Sequence, residues 1–226
     1  MKNQDLDYFK KGDFQPIDDE FIADGLGAMC KVASVQRKYN LTDTDTVLNE
    51  LHDAIVGKHL GFKLVNKEKH GFDCKLSSDE NIFLESKVAS LHSKTITATF
   101  NDTTTDKAEV FKDEKTWLAL SVWSTASELV FIAFGQHEDI GNYLEKRSKA
   151  VENTRTRSTQ SIALSKLITD YEFDIIAVSI TKQELFTFLT TLNSNLRKHL
   201  SIDDIYELKD YELPHAAKID AEETEE

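Results

Sequence analysis

The stretch 72–90, FDCKLSSDENIFLESKVAS, decides the fold. It reads as a β-hairpin, with one strand over 72–77, a polar turn over 78–81 and a second strand over 82–90. Strand side chains alternate between faces, so Ile82, Leu84 and Val88 share one face and are expected to anchor it in a core. Phe83, Glu85, Lys87 and Ala89 share the other. An acid and a base therefore sit two residues apart on one side of a largely apolar strand. Charge in such a place is costly unless it is paired or holds a metal. Asp73, on the preceding strand, stands where a hairpin brings it near Glu85.

Working outward, the 226 residues suffice for one α/β domain with a substantial core. No Gly/Ser-rich linker or internal repeat divides the chain. No apolar run reaches membrane-spanning length, and the polar N-terminus lacks the apolar centre of a signal peptide, so a cytoplasmic location is expected. Cys30 and Cys74 are too few for a four-ligand zinc site and read as free, packing thiols. The net charge of −13 is uneven: residues 201–226 carry −8, residues 1–24 carry −4, and the body carries only −1. The expected organisation is a single α/β domain over 1–202, helical at its N-terminus, followed by an acidic tail over 203–226.

Helices are expected over 16–39, 44–60, 106–115, 140–150 and 181–200, the last opened by a Thr181/Glu184 capping box. The helix at 44–60 presents Val47, Leu48, Leu51 and Ile55 as its apolar face, with Glu50 beside it and aimed at the hairpin. Strands are expected over 62–65, 94–100, 117–123, 128–134 and 173–180. Residues 162–168 fit either strand or helix. The expected architecture is a central mixed β-sheet flanked by helices.

Two carboxylates and a lysine on neighbouring strands suit phosphodiester hydrolysis. Hard cations take carboxylate and carbonyl oxygens, and an ammonium group can orient the attacking water and stabilise developing negative charge. Acid-x-Lys occurs four times, at Asp73–Lys75, Glu85–Lys87, Asp113–Lys115 and Glu207–Lys209. Only Glu85–Lys87 lies inside an apolar strand with an aspartate on the strand before it. The competing explanation is a cross-strand ion pair without chemistry. No phosphate-binding glycine loop or GxSxG elbow occurs, and His52 and His59 lack zinc-helix spacing. His70 reads as a surface-loop residue.

Asp73 followed by Glu85-Ser86-Lys87 resembles the PD-(D/E)xK nuclease motif of type II restriction endonucleases, with Phe72 where the family name has proline. The resemblance extends to the order of elements over 44–135. It implies Asp73 and Glu85 as magnesium ligands, joined by the Ser86 backbone carbonyl, with Lys87 as the catalytic lysine. Glu50 matches the helix carboxylate that some members add. It further implies a homodimer or higher symmetric assembly that cuts double-stranded DNA to 5′-phosphate and 3′-hydroxyl ends.

The polar segment 152–161 supplies candidate DNA contacts in Asn153, Arg155, Arg157, Thr159 and Gln160, and Asn101 and Lys107 form a second group. Arginine is the favoured reader of guanine, and the chain has five against more plentiful Asn, Gln and Thr, so an A/T-rich palindrome is the expected target. A structure-specific resolvase or repair nuclease would use the same residues without base specificity. The acidic termini alone would suit a non-enzymatic DNA-mimicking inhibitor.

Overall fold

In a computed structural model of the protein, residues 19–41, 44–65, 72–101, 103–151 and 158–214 are described. Two apolar strands form the centre. In β5 (Thr116–Thr125) every side chain from Thr116 to Trp123 is buried, and β6 (Glu128–Gly135) is buried from Leu129 to Phe134. A strand buried on both faces reads as a continuous apolar run rather than an alternation, which is why these two segments are so legible. Around them stand β1 (Phe62–Leu64), β2 (Cys74–Leu76), β3 (Phe83–Ser90), β8 (Asp174–Ala177) and β9 (Ile205–Glu207). The seven-stranded sheet has the order β1-β2-β3-β5-β6-β8-β9. It is mixed: β3 runs parallel to β5 and β8 parallel to β9, while the other neighbours are antiparallel. A second, two-stranded sheet pairs β4 (Thr97–Phe100) with β7 (Gln160–Ala163).

Helices flank both faces. On one, α2 (Thr44–His59) packs Val56 over a cluster containing Cys74, Leu84, Trp117 and Phe134. On the other, α3 (Thr105–Val110), α4 (Asp139–Val151), α5 (Leu164–Thr169) and α6 (Lys182–Leu192) cover Leu118, Leu120 and Phe131. Alternate residues of β5 thus feed two cores. The architecture is the α/β one expected, a mixed central sheet between helices.

The ambiguity at 162–168 resolves into both structures, because β7 runs directly into α5 at Leu164. The capping box forms, with the Thr181 hydroxyl accepting from the Glu184 amide and Glu184 reaching back to the Thr181 amide. The helix it opens ends at Leu192, where extended Asn193 caps a short 3-10 turn over Ser194–Lys198.

Several expectations need correction. The fold passes the boundary expected at 202: β9 extends the sheet, and Leu208, Tyr211 and Leu213 pack against the core. The part of the acidic tail beyond 214 lies outside the described residues, as do Asn153, Arg155, Arg157 and His70. Within α2 the buried residues are His52, Val56 and Gly57, so the helix is turned from the expected face, of which Val47, Leu48 and Ile55 are half-buried and Leu51 is 47% exposed. That rotation follows from a close approach at Gly57, where an added Cβ would lie 2.9 Å from Cys74 Sγ. Cys30 is exposed rather than packed, whereas Cys74 is buried. Among the described residues, no helix is long and apolar enough to cross a membrane.

Candidate active site

The hairpin forms, with Cys74 opposite Leu84 and Lys75 opposite Phe83. Its first strand is short. Asp73 precedes β2, its carbonyl accepting from Val65 N at 2.9 Å, and its Oδ2 accepts from Ser86 N at 2.7 Å. That second bond fixes the geometry of the site. A strand residue's N–H and C=O point to the same edge. The Ser86 carbonyl therefore faces the side where β2 has ended, rather than β5. Ser86 is paired with Ala119 of β5 and has no register partner on β2, where its N–H meets the Asp73 carboxylate instead.

Lys87 Nζ donates to Glu85 Oε1, with both side chains about one-fifth exposed, and lies 5.5 Å from the centroid of the Phe100 ring on β4. Burial alone would lower the lysine's pKa, but the negative charges of Glu85, Asp73 and Asp53 more than offset it and hold the ammonium above its ordinary value. Lys87 is therefore a charged donor, suited to orienting a water or stabilising a phosphoryl oxygen.

A cleft of about 460 Å³ opens beside these groups. Asp73, Ser86 and Lys87 line it from the hairpin, Glu50 and Asp53 from α2, and Thr99 and Asn101 from β4 and its end. Val88 lines it as well and is 42% exposed, so it does not anchor the strand. The core on its face ends at Leu84, and Ser86 and Val88 continue into the cleft wall.

Asp53 is the residue that sequence reasoning missed. Burial raises its carboxyl from 3.8 to about 6, opposed by the nearby Ser86 hydroxyl and Lys87 and reinforced by Glu50 and Glu85. The Ser86 Oγ makes no regular hydrogen bond in return, leaving a buried polar atom at the cleft wall. Asp73 is likewise raised well above the carboxylate range, by burial first and then by Glu85 and Asp53. The available signal was spacing: Asp53 lies three residues after Glu50, and i, i+3 residues share a helix face.

The backbone of β3 is held from behind. Ser121 Oγ, fully buried, donates to the Lys87 carbonyl at 3.1 Å and accepts from Trp123 Nε1 at 2.9 Å. The Trp123 ring stacks on buried His52 of α2 at 4.0 Å, and His52 Nε2 lies 2.9 Å from the Ala126 carbonyl. One network thus connects the helix bearing Asp53 to the strand bearing Lys87.

The donor set fits a hard divalent cation. It consists of oxygens whose carboxyls are crowded and partly desolvated, and a dication relieves that repulsion. Among the described residues, no three His, Cys, Asp or Glu side chains form a group able to hold an ion by themselves. Glu85 is engaged by Lys87, and one Asp73 oxygen by Ser86 N–H. Magnesium needs no such cage, since it commonly takes one or two carboxylates and completes its shell with water and phosphate oxygens.

The proposed DNA contacts divide. Asn101 lines the cleft, and Lys107 Nζ reaches back to the Asn101 carbonyl at 3.4 Å while remaining exposed. Thr159 is exposed next to the β4–β7 pair, in which Phe100 faces Gln160. Gln160 itself is 7% exposed and is not available as a reader, because its strand is packed into the body.

Of the other acid-x-Lys pairs, two are surface features, while Asp73 of the third belongs to the cleft itself. Glu207 and Lys209 pair at 2.9 Å in water, and Asp113 Oδ1 accepts from the Lys115 backbone N–H. No protein-family model matches the chain, and no curated protein matches it in sequence.

Proposed function

We propose that the protein is a magnesium-dependent DNA endonuclease of the restriction type. One observation carries the reading. Three acids and one lysine meet in a single cleft, delivered by a hairpin and by the helix packed on it. Such a cleft is anionic and by itself repels a phosphodiester, so a bound cation is needed to admit the substrate.

Asp73, Glu85 and the Ser86 carbonyl would hold the ion, with Asp53 and Glu50 adding charge from α2. When bound, magnesium supplies Lewis-acid stabilisation of the phosphoryl oxygens. The protein's own part is positional and electrostatic. Asp73 is oriented by Ser86 N–H. The Lys87 ammonium, released from Glu85, donates to the attacking water or to a non-bridging phosphate oxygen as negative charge develops. Asn101 lines the cleft and Lys107 reaches its carbonyl from the exposed side, and both would serve sugar–phosphate contacts, which set register rather than sequence. Hydrolysis would leave 5′-phosphate and 3′-hydroxyl ends.

The test is cleavage of supercoiled plasmid with magnesium, comparing wild type with Asp73→Ala and Lys87→Ala. Wild type should nick or linearise DNA, and each variant should lose about 100-fold or more. Inert wild-type protein, or variants that cut equally well, would overturn the reading. Discrete fragments of linear DNA would support the site-specific form, and sequencing their ends would test the A/T-rich target, which a G/C-only site would exclude. Cutting only at branched junctions would identify a structure-specific nuclease built on the same residues.

A further inference from the structure

The Asp73–Lys75 pair leaves its lysine without a role. Lys75 follows Asp73 by two residues, and Phe83 precedes Glu85 by two, so strand alternation places Lys75 and Phe83 on the face of the two acids. The register carries that placement across the sheet. Lys63 of β1 stands opposite Lys75 of β2, and Lys75 opposite Phe83 of β3. Lys63, Lys75 and Phe83 thus form one row on one face. The row lies two residues, about 7 Å, along the strands from Asp73 and Glu85. That step is comparable to the one between neighbouring phosphates of a nucleic-acid strand.

This row is open. Lys63 is exposed, the Lys75 side chain is 40% exposed and Phe83 is half-buried. The N-terminal helix α1 (Asp19–Tyr39) packs on α2, over the other face of the sheet. Phe83 belongs to neither apolar core. Its ring lies 5.9 Å from Lys75 Nζ and stacks on Phe72 at 4.6 Å, and Phe72 lines the cleft. The row is therefore continuous with the candidate active site.

The facing lysines need a reason. Like charges directly opposite on antiparallel strands destabilise the pair. A lysine on an edge strand discourages stray strand pairing, which accounts for Lys63 on edge strand β1. It does not account for Lys75, which opposes Lys63 from the inner strand. The Lys75 ion pair with Glu80 spans 3.9 Å to a carboxylate side chain 88% exposed, and such a pair is worth little in water. An anion held between the two lysines removes their repulsion.

We propose that Lys63 and Lys75 grip the phosphate next to the scissile one, with the Phe72–Phe83 stack as the floor between that grip and the cleft. The proposal rests on the nuclease reading for its ligand, a DNA strand. The cleft acts on the reacting phosphate, whereas the lysine pair fixes where the strand enters.

The test is fluorescence anisotropy of a short labelled DNA duplex with magnesium, over a series of salt concentrations. The full chain carries Lys87→Ala, so that the probe survives. Each phosphate contact contributes about 0.9 to the slope of log affinity against log salt. Lys63→Gln and Lys75→Gln should each lower that slope by about 0.9, and the double variant by about twice as much. At about 0.1 M salt the double variant should bind about 10-fold or more weakly. Lys63→Arg with Lys75→Arg should keep the slope. Lys198→Gln, an equal loss of charge on the exposed turn after α6, should leave it unchanged. The glutamine variants should melt no lower than their parent, because they remove a repulsion. A double variant with an unchanged slope or a lower melting temperature would overturn the proposal. So would an equal fall in Lys198→Gln, or a parent chain that does not bind DNA. The expected slopes in a protein whose wild type cuts nothing would uphold the grip and refute only the nuclease reading. Cleavage by wild type with unchanged slopes would do the reverse.

Discussion

Replacing Asp53 by asparagine should stabilise the metal-free protein while impairing its chemistry. The carboxyl rises from 3.8 to about 6 on folding, so its ionised form destabilises the folded state by about 3 kcal/mol at about 1.36 kcal/mol per pH unit. Water entering the cleft and local relaxation reduce this, leaving about 1–3 kcal/mol. The sign follows from the raised folded pKa. The native state keeps a proton that the unfolded chain has released, so stability falls as pH rises from about 4 through about 6. Asparagine has no such dependence. In EDTA the variant should match wild type near pH 4 and melt about 2–12 °C higher at pH 8, at 2–4 °C per kcal/mol for a chain of this length. Magnesium should narrow the gap by stabilising wild type more, through preferential binding to the folded state. The magnesium concentration for half-maximal cleavage should rise about 10- to 100-fold in the variant. Melting curves across pH, with and without magnesium, decide the matter. A variant no more stable at pH 8, or equally stabilised at both ends of the range, refutes the crowded-carboxylate account.

Ser121→Ala removes the group bridging Trp123 to the Lys87 carbonyl and should cost about 1–3 kcal/mol in urea unfolding, by leaving a buried indole N–H unpaired. It should also lower kcat while leaving KM for DNA unchanged, since β3 loses its rear support. Leu84→Ala, at a fully buried site under α2, should cost about 2–5 kcal/mol by the same measurement. Gly57→Ala forces a Cβ to 2.9 Å from Cys74 Sγ and should destabilise by about 1–3 kcal/mol; combining it with Cys74→Ala should recover part of that loss. Asn101→Ala should weaken DNA binding in a filter assay with little change in melting temperature, because its side chain lines the cleft rather than the core.

The elements were legible wherever local pattern and burial agree. The hairpin at 72–90, the apolar runs of β5 and β6 and the capping box at Thr181 each express their structure within a few residues. The acid–base strand was legible for the same reason, since charge inside an apolar strand is expensive and therefore informative. Asp73, Glu85 and Lys87 were read from it and Glu50 from the helix at 44–60; of these Asp73, Lys87 and Glu50 line the cleft, while Glu85 pairs with Lys87. What sequence periodicity could not supply was rotation and depth. The face that α2 buries depends on Gly57 meeting Cys74 and on His52 stacking on Trp123, contacts between residues up to 71 positions apart. That rotation brings Asp53 to the cleft beside Glu50. It also turns Leu51 outward. Val88 followed the strand alternation correctly but lost its core partners, because the cover on that face stops at Leu84. Gln160 looked like a polar loop residue and is a buried strand residue, since its partner Phe100 is distant in sequence. Local chemistry thus determined which groups carry charge into an apolar strand. Only tertiary packing decided which carboxylates crowd around them, because their mutual repulsion and desolvation arise from the meeting of α2 with the hairpin.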